Sequence, residues 1–435
     1  MISAGIAALI LFAGVAFFLI IGAPISISVG IASMLAMFSI LDPQNALQAS
    51  AQRMFTGMNS FALLAIPFFI LAGVIMNNGG IAMRLVNCAK VLSGRMPGSL
   101  AQTNILANMM FGSISGSAVA AAAAVGSTMA PMQDKEGYDR TFSAAVNIAS
   151  APTGMLIPPS NTLIVFSLVS GGTSIAALFM AGYVPGILWG IACMIMAFFI
   201  AKRKGYKSNE RVPFKLALKV FIDAIPSLFL IIIVIGGIIL GVFTATEGSA
   251  IAVVYALLLS FIYKTIKVKD LPKILMDSTR TTAIVIFLIG VSTIMSWVMS
   301  FTGIPKLIAD LLLGFTDNMI IILIIMNIVL LIVGTFMDPT PAILIFTPIF
   351  FPIVTQFGMD PVHFGIMVVF NLSIGTITPP VGPVLFIGAR VAKLKIEQVI
   401  RPLIPFFAVT VVVLLLVTYI PQLSLWLPQL LGLIK

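Results

Sequence analysis

Long apolar runs are the feature that most constrains how this 435-residue chain can fold. A helix needs roughly 20 apolar residues to cross the hydrocarbon core of a bilayer, and runs of that length recur along almost the whole sequence. Because 60% of the residues are hydrophobic and only 9% are charged, a water-soluble fold could not bury the apolar surface. The runs are continuous rather than alternating, which favours helices over a membrane β-barrel. The sequence therefore predicts an all-α polytopic membrane protein.

The apolar windows predict about ten transmembrane helices and two re-entrant helical hairpins. The predicted spans are near residues 4–22, 24–41, 61–78, 140–170, 175–201, 224–243, 247–264, 279–301, 363–390 and 402–421. Two more apolar stretches, 99–132 and 319–356, are interrupted by polar residues, glycine or proline at 112–117 and 334–340. Such centres are typical of hairpins whose tips lie within the membrane. Each hairpin follows a short amphipathic segment, 80–97 or 302–316, that we expect at the interface.

The basic residues predict which side of the membrane each loop occupies. When residues 202–204 are placed in the cytoplasm, all but three of the 24 Lys and Arg fall on that side. The exceptions are Arg53, Lys306 and Lys435, so both chain ends are predicted to lie outside. The net charge of +10 thus comes from basic residues in the predicted cytoplasmic loops. It does not indicate a nucleic-acid partner, because no basic stripe is interleaved with aromatic residues.

A repeat with an offset of 221 residues connects the two halves of the chain. Its matching residues are Pro131, Gly137, Asp139, Gly154, Pro158 and Pro159, which recur as Pro352, Gly358, Asp360, Gly375, Pro379 and Pro380. Five predicted spans separate equivalent points, and since this number is odd the second copy faces the opposite way. Inverted repeats of this kind are common in secondary transporters, which bind their substrate near the midplane where the repeats meet.

Each half also carries two consecutive prolines within an apolar span, at 158–159 and 379–380. Proline removes a backbone donor and clashes with the preceding turn, so the helix is predicted to open there. Freed carbonyls together with Ser and Thr hydroxyls form an oxygen cage suited to Na⁺, while helix N-termini favour an anion. The sequence therefore predicts two cation sites, each between a hairpin tip and a helix break, with an anionic substrate between the two tips.

The candidate residues follow from this arrangement. The first Na⁺ site is assigned to Ser113, Gly116, Gly154, Pro158 and Ser160, and the second to Gly334, Asp338, Gly375, Thr376 and Thr378. The substrate site is assigned to Ser115, Ser117, Asn161, Asp338 and Thr340. The alternative is that the small residues only allow close helix packing. For Asp338, the one acid expected at membrane depth, the alternative is an N-cap facing a water-filled vestibule.

Nothing in the sequence predicts an enzyme or a bound cofactor. With one histidine and two distant cysteines, Cys88 and Cys193, the chain has no ligand set for a catalytic metal. It also lacks the phosphate-binding loop that ATP hydrolysis requires.

Several strings in order resemble the large membrane subunit of the tripartite ATP-independent periplasmic (TRAP) transporters. They are GVFTATE at 241–247, DPTPAIL at 338–344, TPPVG at 378–382 and the serine-rich first tip. One departure is Ala245, where we expect proline. With the length and the hairpin layout, the resemblance covers essentially the whole chain.

The resemblance implies a Na⁺-coupled elevator importer of a small organic anion in a bacterial inner membrane. It implies scaffold segments at 1–98 and 202–318, and two halves of a transport domain at 99–201 and 319–435. The implied partners are a small four-helix membrane subunit and a periplasmic substrate-binding protein, and the implied substrates are carboxylates such as C4-dicarboxylates or sialic acid. A stand-alone Na⁺/anion symporter of related fold is the alternative function, and a passive channel or an intramembrane enzyme is a more distant one.

Overall fold

The computed structural model describes residues 4–94, 96–206 and 213–434, which form helices joined by short connections with no strand among them. Lys435, predicted to lie outside, falls beyond this part of the chain. The helices are α1 Ala4–Ile20, α2 Ile25–Phe38, α3 Pro43–Met58, α4 Ala65–Asn78, α5 Ile81–Ser93, α6 Ser99–Ser115, α7 Ala118–Lys135, α8 Arg140–Ser150, α9 Asn161–Val169, α10 Ile175–Arg203, α11 Phe214–Ile239, α12 Ala245–Ile262, α13 Leu271–Thr302, α14 Ile304–Phe315, α15 Met319–Phe336, α16 Pro339–Gln356, α17 Pro361–Gly375, α18 Pro383–Val391, α19 Ile396–Tyr419 and α20 Gln422–Leu430. Short 3₁₀ turns occupy Phe61–Leu64, Ala151–Met155 and Val268–Asp270.

The predicted membrane fold is confirmed. Within the described ranges, eight helical segments are long and apolar enough to cross a bilayer, and two of them, α15 and α16, form the second hairpin. The shorter apolar helices α1 and α2 and the two broken helices correspond to the remaining predicted spans. Helices α11 and α13 begin earlier than the apolar windows indicated, at Phe214 and Leu271, because their first turns carry basic residues that extend beyond the hydrocarbon.

The amphipathic segments that precede each hairpin fold as helices α5 and α14, as the sequence predicted. Two helices were not predicted, namely α3 and α20. Both are too short or too polar to span a membrane. Neither sequence therefore contains an apolar window of bilayer length.

The two hairpins have the predicted positions and tight tips. At the first tip, Gly116 ends α6 in the left-handed conformation, with φ of 62°. The Ser117 hydroxyl then accepts a hydrogen bond from the Ala120 amide at 3.3 Å and caps α7. At the second tip, Met337 and Asp338 connect α15 to α16.

The two broken helices open where the proline pairs predicted. The first leaves α8 at Ser150, passes through the turn Ala151–Met155, and resumes as α9 at Asn161. The second leaves α17 at Gly375 and resumes as α18 at Pro383. In each break the peptide bond between the two prolines is cis.

Equivalent residues of the repeat have equivalent structural roles. Gly137 and Gly358 both adopt the left-handed conformation, with φ of 75° and 76°, in the turn that follows a hairpin. Asp139 and Asp360 both occupy the N-cap of the next helix, where the carboxylate accepts a backbone amide hydrogen bond. The similarity between the halves is thus one of local structure as well as of sequence.

Each hairpin packs on its own broken helix through a pair of glycines. A Cβ atom added to Gly154 would lie 2.4 Å from the Cα of Gly112. A Cβ atom added to Gly375 would lie 2.5 Å from the Cα of Gly334. The two backbones approach so closely that neither break tolerates a side chain at this position.

The second helix of each hairpin packs on the broken helix of the other half. Helix α7 lies against α18, and α16 lies against α9. The Phe351 ring of α16 meets the Phe166 ring of α9 edge to face, with centroids 6.4 Å apart. A Cβ atom added to Gly126 of α7 would lie 3.2 Å from Val391 Cγ1 of α18. The two inverted halves are therefore interlocked.

The ion pairs agree with the predicted topology, because groups that touch must lie on the same side of the membrane. Among the described residues, the pairs are Arg84–Asp223, Arg140–Asp134 and Lys204–Asp139. Arg84, Arg140 and Lys204 were all predicted on the cytoplasmic side, and each pairs with an aspartate outside the predicted spans.

Asp139 connects the start of α8 to the end of α10. Burial alone would raise its pKa, but hydrogen bonds from Lys204 and Thr141 outweigh burial and lower the pKa to about 2. The Lys204 Nζ atom lies 2.6 Å from the carboxylate, and the Tyr206 hydroxyl accepts a hydrogen bond from the Asp139 amide at 2.9 Å. The charged carboxylate thus ties the start of the first broken helix to the end of α10.

This arrangement predicts acid sensitivity. A carboxylate whose pKa is depressed on folding stabilises the fold above its unfolded pKa of about 3.9, and that contribution is lost as the pH falls toward 2. Thermal unfolding of purified protein should therefore show a smaller loss of stability between pH 5 and pH 3 in Asp139→Asn than in the wild type. The exposed neighbour Glu136 provides a control through Glu136→Gln. Equal pH dependence of wild type and Asp139→Asn would contradict the prediction.

The glycine pairs predict a second effect. Gly154→Ala should destabilise the protein by about 1–3 kcal/mol, because the new methyl group overlaps the α6 backbone. Gly236→Ala in α11 is the matched control, since a Cβ atom there meets nothing within 4 Å. Thermal unfolding in detergent measures both variants, and equal melting temperatures would refute the packing argument.

Candidate functional site

The first hairpin tip meets the first helix break, as predicted. A Cβ atom added to Gly116 would lie 2.9 Å from the Pro159 carbonyl oxygen and 3.7 Å from Asn161 Nδ2. The Asn161 Oδ1 atom is buried and accepts no hydrogen bond from the described part of the chain. Amide and carbonyl oxygens are ligands of alkali cations at unwound helices. The tip and break therefore place a backbone carbonyl and a buried amide oxygen at the same junction.

Some of the other residues predicted for the first Na⁺ site lie away from the contact between the tip and the break. Gly154 lies against Gly112, one turn below the tip, and the buried Pro158 belongs to the break itself. The Ser113 hydroxyl donates to the Met110 carbonyl at 2.8 Å. Gly154 therefore positions the hairpin, while the Ser113 hydroxyl donates within its own helix and keeps its oxygen lone pairs free to accept.

The remaining serines differ in their surroundings. Ser160 is fully buried, and its hydroxyl donates to the Met155 carbonyl while it accepts from the Leu163 amide. Ser115 and Ser117 lie at the tip, where the Ser117 amide is 3.4 Å from the Ser115 hydroxyl oxygen. Ser117 is half-buried. Of the predicted hydroxyls in this half, those of Ser115 and Ser117 lie at the tip itself.

The second tip also meets its break. The Val381 amide donates to the Thr335 carbonyl at 3.2 Å, a backbone hydrogen bond between hairpin and broken helix. Gly334 and Gly375 are in contact, as described above. Across the break itself, the Val384 amide donates to the Thr376 carbonyl at 3.0 Å. Unwound backbone groups of the break thus find partners in the hairpin and in each other.

The polar side chains predicted for the second Na⁺ site lie in the break and at the tip. The Thr376 and Thr378 hydroxyls each donate to a carbonyl of α17 at 2.7 Å, which leaves their oxygen lone pairs free to accept. Asp338 is exposed at the N-cap of α16, and its side chain does not cap the helix. No ion pair or hydrogen bond connects the Asp338 carboxylate to another described residue. Thr340 is half-buried in the first turn of α16.

The two breaks are in contact with each other. The Ser373 hydroxyl of α17 lies 3.7 Å from the Met155 sulfur, in the turn that interrupts the first broken helix. Helices α7 and α16 begin at the two tips and helices α9 and α18 begin after the two breaks, so four helix N-termini lie at these junctions. A helix N-terminus carries partial positive charge and unpaired amides, so the arrangement favours an anion.

Buried asparagines that were not predicted hold each hairpin on its broken helix. In the first half, the Asn108 amide donates to Asn147 Oδ1 at 3.1 Å and to the Ser150 hydroxyl at 2.8 Å. In the second half, the Asn371 amide donates to Asn327 Oδ1 at 2.6 Å. The available signal was an isolated asparagine within an apolar run, because such a residue needs a polar partner in the membrane.

The first tip also touches helices outside the repeat. A Cβ atom added to Gly73 of α4 would lie 3.1 Å from the Ser115 carbonyl oxygen. Helix α4 in turn packs against α12 and α13. At the start of α5, Arg84 bonds to Asp223 at 3.2 Å and lies over the Tyr263 ring, 3.4 Å from its centroid. The helix leading into the first hairpin is thereby anchored to α11 and α12.

Across the described ranges, no three His, Cys, Asp or Glu side chains cluster as they would around a transition metal. The oxygen atoms at the tips and breaks are backbone carbonyls, hydroxyls, amides and one carboxylate. Hard cations such as Na⁺ prefer ligands of this kind.

Comparison with protein families assigns residues 12–423 to the DctM component of the tripartite ATP-independent periplasmic transporter. An uncharacterized protein of Salmonella typhimurium, YgiK, is 55% identical over 422 residues, which is 97% of each chain. The sialic acid TRAP transporter large permease protein SiaM of Vibrio cholerae is 38% identical over 398 residues, covering 90% of this chain and 92% of that protein.

Among solved structures, the chain is similar to the YdaH transporter of Alcanivorax borkumensis. The TM-score is 0.64, and the match covers 88% of this chain and 89% of that one at 13% sequence identity. At this identity the likeness concerns the fold alone.

Proposed function

Because this chain belongs to the tripartite ATP-independent periplasmic transporter family as its DctM component, we propose that it imports a small organic anion by Na⁺ symport. It is a multi-pass protein of the bacterial inner membrane, and its relatives are transporter permeases rather than enzymes. The observation that carries the proposal is the meeting of a hairpin tip with a helix break in both inverted halves.

Na⁺ coupling is supported by the oxygen atoms at these junctions. In the first half, Asn161 Oδ1 is buried without a partner, and the Pro159 carbonyl faces Gly116 at the tip. A bound Na⁺ would satisfy both oxygens, because a buried polar atom left unpaired costs about 1–3 kcal/mol. In the second half, Asp338, Thr376 and Thr378 supply the corresponding oxygens. Na⁺ binding and anion transport would be coupled because the bound cations complete the anion site between the tips.

The substrate we propose is a carboxylate. The relative from Vibrio cholerae is named for sialic acid, and family resemblance also implies C4-dicarboxylates. Four helix N-termini and two adjacent cation sites would offset the charge of such an anion at membrane depth. Ser115, Ser117, Asn161 and Thr340 are the polar side chains that we expect to orient it.

An elevator movement is the mechanism that we propose. The segments 99–201 and 319–435 contain both hairpins and both broken helices, and their interlocked packing suits movement as one body. The segments 1–98 and 202–318 would form the fixed scaffold, with α5 and α14 as the connecting arms. We further propose the two partners implied by the family, a small four-helix membrane subunit and a periplasmic binding protein that delivers the anion.

Na⁺ dependence tests the coupling. Proteoliposomes containing this chain, the small subunit and the binding protein should accumulate labelled anion only with an inward Na⁺ gradient. Equal uptake after replacement of Na⁺ by K⁺ or choline would refute symport. Uptake by this chain alone would instead favour a stand-alone symporter, and single-molecule currents would favour a channel.

Substitutions at the tips test the site. Asp338→Asn and Ser117→Ala should each lower the uptake rate by roughly tenfold, since each removes a polar contact worth about 1.5 kcal/mol, and melting temperature should stay near that of the wild type. The control is Asp317→Asn, which changes an exposed acid outside the second hairpin. Wild-type uptake by both tip variants would show that the site has been assigned wrongly.

A further inference from the structure

A cavity lies between α6, α7, α8 and α18, away from both tips. Its volume is about 410 Å³, within the usual range for small-molecule sites. Gly126 and Asn147 line its inner end, and Arg140 and Lys393 lie toward the predicted cytoplasmic surface. Gly126 follows Ser117 by nine residues of α7, which places it about 13 Å from the first tip. The cavity is therefore distinct from the proposed transport site.

The lining of this cavity offers donors and positive charge. Its titratable side chains are Asp134, Tyr138, Arg140 and Lys393. Arg140 donates to Asp134 through Nε at 2.7 Å and through a second nitrogen, so these two charges offset each other. Lys393 is exposed and forms no ion pair with the described residues. The charged lining is therefore positive overall.

The inner end of the cavity is polar as well. Asn104 is almost fully buried, and its Oδ1 accepts from Asn108 at 3.1 Å, while its amide nitrogen donates to no described residue. A ligand that reached from Asn104 to Lys393 would meet donors at both ends, with apolar contacts from Ala144 and Val391 between them. A compact organic anion has polar groups in such positions, whereas a lipid would place an acyl chain against one of the polar ends.

We propose that this cavity is a second binding site for a small organic anion, open to the cytoplasm and separate from the transport site. The Lys393 ammonium group and the unpaired nitrogen of Arg140 bind the anionic group, and the Asn104 amide binds the opposite end. A ligand here touches both α7 and α18, whose N-termini flank the transport site. Cytoplasmic anion thus acts on helices that belong to both halves of the repeat.

Cysteine labelling tests this site. Ser127 is exposed at the cavity lining, while the native Cys88 and Cys193 are buried and should not react. The full chain with Ser127→Cys, in lipid nanodiscs, is treated with anionic methanethiosulfonate ethylsulfonate or its cationic trimethylammonium analogue. We expect the anionic reagent to react faster relative to its rate with a free thiol, by about threefold, because the local charge is positive. Succinate should slow labelling, and the wild type should remain unlabelled.

Two further substitutions identify the source of the charge. Added to Ser127→Cys, Lys393→Gln should abolish both the preference for the anionic reagent and the protection by succinate. Lys395→Gln is the matched control, because Lys395 is two residues away and does not line the cavity. Equal rates for the two reagents, no protection by succinate, or an unchanged preference in Lys393→Gln would each overturn the proposal.

Lipid composition distinguishes a soluble anion from a lipid headgroup. Nanodiscs of phosphatidylcholine alone should show the full protection by succinate. If labelling is slowed only by added phosphatidylglycerol, the cavity binds lipid and the proposal fails. Neither result depends on Na⁺-driven uptake, so the labelling outcome can be told apart from failure of the proposed transport function.

Discussion

Every backbone polar group within the hydrocarbon must find a partner inside the protein, and the rest of this structure depends on that constraint. Continuous helices satisfy it by themselves, but two hairpin tips and two helix breaks interrupt the helical hydrogen bonds at membrane depth. Each hairpin tip contacts the helix break of its own half. The Val381 amide of the second break donates to the Thr335 carbonyl of the second tip. In the first half, Gly116 brings the tip against the Pro159 carbonyl. Irregular backbone is tolerated because each tip covers a break.

The same contacts join the hairpins and broken helices into one packed unit. The glycine pairs place hairpin and break backbones in direct contact, and the buried Asn108 and Asn371 amides bind across the same interfaces. Packing of α7 on α18 and of α16 on α9 then joins the two halves. A movement that separated tip from break would expose unpaired backbone groups to hydrocarbon. The contacts with α4 and the anchored start of α5 lie outside this unit, and a sliding movement of the kind proposed would act there.

The two halves share a backbone plan but differ in their electrostatics. The first junction presents neutral oxygens, with Asn161 Oδ1 buried and unpartnered. The second presents a carboxylate, Asp338, that is exposed and forms no ion pair with the described residues. An inverted repeat thus creates two similar junctions that differ in charge. The proposed cytoplasmic cavity adds a third polar region, which is lined by helices from both halves and has Lys393 at its mouth.

The sequence by itself determined the membrane class, the spans, both hairpins, both breaks and the repeat, because apolar length, paired prolines and glycine positions act locally. It did not reveal α3, whose polar face gives no spanning signal, or the partner of Gly154, which is Gly112 rather than the tip glycine. Only the tertiary structure decided that each hairpin packs across to the other half and that the Ser113 hydroxyl bonds within its own helix. Those outcomes depend on how helices distant in sequence fit together, and local patterns do not encode which surfaces meet.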